Sequence, residues 1–167
     1  MIFFDRLKFI FLTAFLVGSF GLLTAYILQY VFNFPPCILC TYERIPYILS
    51  LIIGFLGWRR PKAFPKTLIV VLFLTFLSGA TLSFYHAGIE HGVFPSFGAC
   101  GGNAQALTAE SVKELETLLL ATPVVRCDQV YFRLIGLSLT EYNFIFSFLI
   151  TTFLGFIFWH YQKRKPE

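Results

Sequence analysis

The sequence has little charge: only 13% of its 167 residues are Asp, Glu, Lys or Arg, whereas a soluble domain normally carries about 25%. The charges cluster in short segments between long neutral ones, and 57% of all residues are hydrophobic. This distribution excludes an ordinary soluble domain and is typical of a polytopic membrane protein. The net charge is +4, but the basic residues lie at the edges of apolar runs and form no stripe, so we expect no nucleic-acid partner.

Four apolar segments are long enough, or nearly so, to cross a hydrocarbon core of roughly 30 Å as helices of about 20 residues. They run over about 9–30, 41–58, 67–85 and 142–161. Pro35 and Pro36 supply the break that ends the first crossing. The second begins with Glu43 and Arg44, which an interface tolerates. The sequence therefore predicts an all-α integral membrane four-helix bundle that forms a single membrane domain over 1–167.

The sequence also lacks an obvious A-x-A-like cleavage site after its first apolar segment. Arg6 and Lys8 precede that segment, as the positive region of a signal peptide would. However, the segment is too long for a typical signal-peptide core, and three further spans follow. We therefore expect the first helix to be retained.

Positive charge is scarce in two of the connections, and this predicts the orientation, because cytoplasmic segments retain Lys and Arg. Nine of the thirteen basic residues lie at the two termini or between the second and third spans. Both termini should therefore be cytoplasmic, in a bacterial inner membrane. Two outer loops, about 31–40 and 86–141, should face the oxidising periplasm, where disulfides persist. All four cysteines fall on this outer side: Cys37, Cys40, Cys100 and Cys127.

Cys37 and Cys40 form a C-x-x-C pair directly after two prolines and directly before the second apolar run. If proline sets the first turn of a helix, this spacing places both sulfurs on one face near its amino-terminal end. The helix dipole there favours the thiolate, and C-x-x-C pairs are known for depressed thiol pKa values. The pair is therefore suited to thiol exchange, although a static staple or half of a metal site is the alternative.

Cys100 and Cys127 stand alone in the second outer loop, 27 positions apart. A zinc site would need two close pairs, or one pair with spaced histidines, whereas His86 and His91 lie upstream, so we predict no metal. A disulfide between the two cysteines would stabilise the loop by roughly 3 kcal/mol. Such a bond in a mobile loop would be open to attack. Two disulfides on one face suggest an exchange relay, which needs an electron acceptor, and a membrane quinone is the natural one.

Three stretches and one cysteine give the chain a resemblance to the DsbB family of disulfide bond formation proteins, over essentially its whole length. Residues 36–44 read P-C-I-L-C-T-Y-E-R, 85–90 read Y-H-A-G-I-E, and 122–128 read T-P-V-V-R-C-D, with Cys100 between the last two. The resemblance implies a quinone-linked oxidase that re-oxidises a periplasmic DsbA-like protein of the thioredoxin type. The quinone would be ubiquinone or menaquinone.

The resemblance also implies a role for each site residue. The partner's reduced cysteine would attack Cys100 of a Cys100–Cys127 disulfide, and Cys37 would then exchange with Cys127. The Cys40 thiolate would face the quinone. Two further residues would bind the quinone, namely Arg44 and His86. Alternatives are an interfacial anchor or a partner of Glu43 for Arg44, and a backbone-bonded interfacial histidine for His86.

The second outer loop contains one amphipathic segment, 110–120. Val112, Leu115, Leu118 and Leu119 fall on one helical face, and Pro123 follows. We predict a short helix that lies on the membrane and lets Cys127 approach Cys37. Plain loop packing is an equally good interpretation.

Three other functions compete with the oxidase. A vitamin K epoxide reductase-like enzyme also combines four helices, quinone chemistry and two cysteine pairs, but its C-x-x-C comes last along the chain rather than first. A membrane scaffold stapled by inert disulfides and a metal-binding protein are the others. The order of the cysteines argues against the reductase, and the C-x-x-C sequence context favours the oxidase.

Overall fold

The computed structural model describes residues 2–61, 64–96, 100, 111, 113 and 125–163. The predicted amphipathic helix over 110–120 therefore lies outside the described residues, apart from Ser111 and Lys113. The elements are α1 (Ile2–Tyr30), α2 (Ile38–Tyr42), α3 (Ile45–Arg59), α4 (Pro65–Glu90), β1 (Arg133–Leu134), β2 (Leu137–Ser138) and α5 (Leu139–Lys163).

Within the part of the chain that the structure describes, four helical stretches are long and apolar enough to cross a membrane: Leu7–Tyr30, Ile38–Arg59, Pro65–Glu90 and Leu139–His160. The second stretch joins α2 and α3, and α1, α3, α4 and α5 pack in that order. This confirms the prediction of an all-α four-helix membrane bundle. Besides its helices, the described part of the chain contains a short antiparallel β-hairpin, in which Arg133 pairs with Ser138. The turn of this hairpin is formed by Ile135 and Gly136, both of which have positive φ angles.

The second span is not one continuous helix from about residue 41, as the sequence analysis expected. It begins at Ile38 and is interrupted by a turn at Glu43 and Arg44. Pro46 stands in the first turn of α3, where it cannot donate the amide hydrogen bond that would continue α2. The interruption turns Glu43 into the bundle, where its exposed fraction is only 7%.

Close contact between α1 and α3 depends on small residues. A Cβ atom added to Gly54 would lie 2.5 Å from the backbone nitrogen of Phe15, and one added to Gly18 would lie 2.6 Å from the carbonyl oxygen of Tyr47. Small residues of this kind let helix backbones approach in membranes, where apolar side chains gain nothing by leaving lipid.

The main hydrophobic core lies between the helices, with Phe11, Ile69, Leu72 and Phe76 fully buried. A second buried cluster at one end of the bundle contains Cys37, Leu39, Ile89, Cys100 and Cys127. This end is formed by the carboxyl ends of α1 and α4 and the amino ends of α2 and α5. The short loop between α1 and α2 and the hairpin segment therefore converge at the same four helix ends.

Candidate functional site

Cys37 is the amino-terminal cap of α2. Its backbone is extended, and its Sγ accepts a hydrogen bond from the backbone N–H of Cys40 at 3.2 Å. The two thiol sulfurs of Cys37 and Cys40 lie 2.8 Å apart. Hydrogen bonds from the Cys40 thiol and backbone lower the pKa of Cys37, although burial opposes them. These bonds favour the thiolate form of Cys37, and the assignment of the quinone-facing thiolate to Cys40 stays a prediction.

His86 connects this cysteine to a buried carboxylate. Its Nε2 lies 3.6 Å from the Cys37 Sγ, and its Nδ1 lies 2.8 Å from Oε1 of Glu43. The imidazole is 2% exposed. Because a carboxylate only accepts hydrogen bonds, Nδ1 carries a hydrogen and Nε2 faces the sulfur. His86 thus bonds to a side-chain carboxylate rather than to the backbone.

Glu43 is fixed in turn by Asn143 of α5. The Asn143 amide donates to Oε2 of Glu43 at 2.8 Å and to the Ser83 hydroxyl at 2.8 Å, while its own oxygen accepts from the Tyr47 hydroxyl. The sequence analysis treated Glu43 as an interfacial charge and did not single out Asn143. The available signal was an amide near the start of the fourth apolar span, because polar groups in a membrane helix are expensive unless they have partners.

Arg44 points in a different direction from its neighbour Glu43. Its Nη1 donates to Oε1 of Gln29 at 2.7 Å, and its guanidinium lies 5.1 Å from the ring centre of Tyr26. Both contacts are with α1, so they hold the arginine across the opening between α1 and the α2–α3 turn. A cation held over an aromatic face and a neutral amide keeps its charge available to a ligand.

A cavity of about 370 Å³ lies between these groups. Phe20, Leu28 and Phe146 are among its apolar walls, and its polar groups include Cys37, Cys40, Arg44, His86, Glu90 and Cys127. The volume lies within the ~300–1,000 Å³ typical of small-molecule sites. Oε2 of Glu90 is buried and has no hydrogen-bond partner among the described residues. An apolar slot with an arginine on its wall fits a flat ring that carries oxygen substituents, because the guanidinium can donate hydrogen bonds to those oxygens.

The second cysteine pair closes the same site. Cys100 and Cys127 form a disulfide, and they are only 5% and 1% exposed. Arg126 bonds Asp128 on the other side of Cys127, and this contact holds the pKa of the Asp128 carboxyl below its usual range. The sequence analysis expected this disulfide in a mobile loop, open to attack, but the structure buries it against Leu39 and Ile89.

Three potential metal ligands also meet here. The Sγ atoms of Cys37 and Cys40 and one ring nitrogen of His86 all lie within 4.8 Å of one another. Histidine spacing along the chain predicts no metal site, whereas the approach of α4 to α2 brings these three residues together.

Comparison with known proteins gives a consistent family. The family described as "Disulfide bond formation protein DsbB" matches residues 7–157. An uncharacterized protein of Rickettsia prowazekii is 30% identical over 161 residues, which cover 96% of this chain and 93% of that protein. Disulfide bond formation protein B of Hahella chejuensis is 30% identical over 135 residues, 79% of this chain and 78% of the relative. The prophage-derived disulfide bond formation protein B of Bacillus subtilis is 33% identical over 88 residues, 50% of this chain and 54% of the relative.

The family match and the first two relatives extend over most of the chain and agree with its four apolar spans and clustered cysteines. The chain therefore belongs to the DsbB family of disulfide bond formation proteins, and it is a multi-pass membrane thiol oxidoreductase.

Proposed function

We propose that this chain re-oxidises a DsbA-like periplasmic protein of the thioredoxin fold and passes the electrons to a membrane quinone. One observation carries the proposal: Cys37, Cys40 and Cys127 all line a single cavity that Arg44 and His86 also line. A disulfide scaffold would have no need of this arrangement, because an inert staple requires neither a neighbouring cavity nor a neighbouring thiol pair.

The first stage transfers two electrons from the partner to Cys100 and Cys127. The partner's first thiolate bonds to the Cys100 Sγ, and Cys127 leaves as a thiolate. The partner's second thiolate then closes the partner's disulfide and releases Cys100. The partner loses two electrons and two protons in this exchange. Because both sulfurs are buried, partner binding must uncover Cys100 before this attack.

The second stage moves the electrons to the pair Cys37 and Cys40. The Cys127 thiolate bonds to the Cys37 Sγ, and Cys40 leaves as a thiolate. Cys100 then attacks Cys127, restores the Cys100–Cys127 disulfide and releases Cys37. The lowered pKa of Cys37 favours this step, since a thiol of lower pKa is the better leaving group.

Arg44 and His86 would hold the quinone in a slot whose other walls are largely apolar. When bound, the quinone supplies the two-electron, two-proton acceptor of the reaction. Arg44 stabilises negative charge at the end of the slot near α1. His86 Nε2 accepts one of the two protons that the partner's thiols release, and Glu43 stabilises the imidazolium that results.

The proposed location is the bacterial inner membrane, with both termini in the cytoplasm and the cysteine end in the periplasm. The bias of Lys and Arg toward the opposite end of the bundle supports this orientation. The clustering of all four cysteines at the other end supports it too, because exchange with a soluble dithiol partner requires them on one side.

The test is quinone reduction by the purified protein with a reduced thioredoxin-like substrate. We expect Cys40→Ser to abolish turnover and Arg44→Ala to raise the quinone concentration needed for half-maximal rate, with a smaller change in maximal rate. Arg59→Ala is the matched control, since Arg59 ends α3 at the far end of the bundle. No quinone reduction by the wild-type protein would contradict the proposal.

A further inference from the structure

Three soft ligand atoms meet at the amino end of α2. Cys37 Sγ lies 3.6 Å from His86 Nε2, and Cys40 Sγ completes a group whose members all lie within 4.8 Å of one another. Two of the three residues are fully buried and the third is partly buried. The chain brings these ligands together from separate spans, so the group exists only in the folded bundle.

The separations are close to those of a tetrahedral zinc site. Bonds of about 2.3 Å to sulfur and 2.0–2.1 Å to nitrogen place sulfur and nitrogen about 3.6 Å apart across such a metal. The separation between Cys37 Sγ and His86 Nε2 already has this value. The two sulfurs, 2.8 Å apart, would have to separate by about 1 Å to match. Cys40 can provide this movement by side-chain rotation, because it is the less buried of the two.

The surroundings of His86 resemble those of a metal-binding histidine. Its second ring nitrogen is bonded to the Glu43 carboxylate, which Asn143 holds from the other side. Such a carboxylate fixes the ring orientation and raises the basicity of the nitrogen that faces the metal. The adjoining cavity leaves space for water as a fourth ligand, the pattern of an open three-ligand zinc site.

We propose that Cys37, Cys40 and His86 form a binding site for a thiophilic divalent cation, Zn²⁺ or Cd²⁺, when the cysteine pair is reduced. The two thiols release two protons as the two metal–sulfur bonds form, and no electron is transferred. Formation of the Cys37–Cys40 disulfide removes both sulfur ligands, so the cation binds one redox state alone. Bound metal would keep the pair reduced and stop its re-oxidation.

The experiment uses the full chain in detergent, with Cys100 and Cys127 both changed to serine so that no other cysteine contributes. After reduction and removal of the reductant, Co²⁺ is titrated and its visible absorption recorded. We expect one equivalent to give the intense bands of a tetrahedral site with thiolate ligands. Oxidation of the pair should abolish these bands, and Zn²⁺ or Cd²⁺ should displace the cobalt.

Variants identify the third ligand. His86→Ala should weaken Co²⁺ binding at least tenfold, while His91→Ala, which removes an exposed histidine bonded to Glu141, should leave it unchanged. Glu43→Gln keeps all three ligands and should weaken binding about 10–100-fold, which preserves the test if His86→Ala does not fold. Absence of the tetrahedral bands, or bands that neither His86→Ala nor Glu43→Gln weakens, would overturn the proposal. The titration contains neither quinone nor partner, so its failure is distinguishable from failure of the oxidase function.

Discussion

The role of Glu43 depends on the direction in which its side chain points. A carboxylate at the start of an apolar span is ordinarily an interfacial charge, but here it is buried and bonded to His86 and Asn143. Next to it, Arg44 bonds to Gln29 instead. The neighbouring side chains of Glu43 and Arg44 therefore bind other partners than each other, and their charges act on different sides of the site.

The charge of Glu43 should matter for turnover. We expect Glu43→Gln to slow quinone reduction at least tenfold, because the amide keeps the shape but no longer stabilises a protonated His86. Glu141→Gln is the matched control, since Glu141 forms the same kind of pair with the exposed His91. Steady-state rates with saturating partner and quinone measure the effect. Equal loss in both variants would contradict a specific role for Glu43.

The pH dependence of Cys37 alkylation tests its hydrogen bonds with Cys40. The pKa of Cys37 is lowered, so its thiolate forms at lower pH than that of an ordinary thiol, and its alkylation profile should have a midpoint below that of a free cysteine. Cys40→Ala removes the main donor, and the midpoint should rise. Mass spectrometry can follow the alkylation in a chain with Cys100 and Cys127 changed to serine.

Thr81→Ala serves as the control in the alkylation experiment, because the Thr81 hydroxyl is exposed and donates to the Leu77 carbonyl oxygen of its own helix. Its midpoint should equal that of the parent. A parent midpoint at or above that of a free cysteine would show that burial outweighs the two hydrogen bonds.

At the scale of elements, the spans could be predicted but their interruptions could not. Long apolar runs identify membrane helices because every backbone group must be bonded within the segment. The turn between α2 and α3 consists of two residues, Glu43 and Arg44. Two residues are too few to change the mean hydropathy of the whole span. The hairpin has strands of two residues, which are too short to show an alternating pattern.

The contact between α1 and α3 should be intolerant of added volume. Gly54→Ala would place a methyl group within 2.8 Å of the Phe11 carbonyl oxygen, and since backbone cannot rotate away, we expect a loss of about 1–3 kcal/mol in the free energy of unfolding. Gly155→Ala is the control, because its nearest neighbour, at 3.3 Å, is the side chain of Phe73. Thermal unfolding in detergent measures both, and equal melting temperatures would contradict the packing described here.

For the whole molecule, the sequence was sufficient to assign the four-helix membrane fold and to name the cysteines, but not their surroundings. The gathering of Cys37, Cys100 and Cys127 in one buried cluster depends on packing between segments distant along the chain. Asn143 bonds Glu43 across 100 positions, and no local pattern encodes that contact. Motif similarity could identify Arg44 and His86 as candidate quinone-binding residues. The residues that orient their side chains could be identified only from the three-dimensional structure.

The turn between α2 and α3 has a consequence for how this chain can vary in length. Each residue added to a helix rotates everything beyond it by about 100°. An insertion within the first turn of α3, between Ile45 and Ser50, would therefore turn Ser50 and Gly54 away from α1, or, if those two kept their places, would swing Glu43 away from Asn143. Both sets of contacts are buried, so neither can move alone. The number of residues between Glu43 and the pair Ser50 and Gly54 is thus constrained as strictly as the identity of these residues.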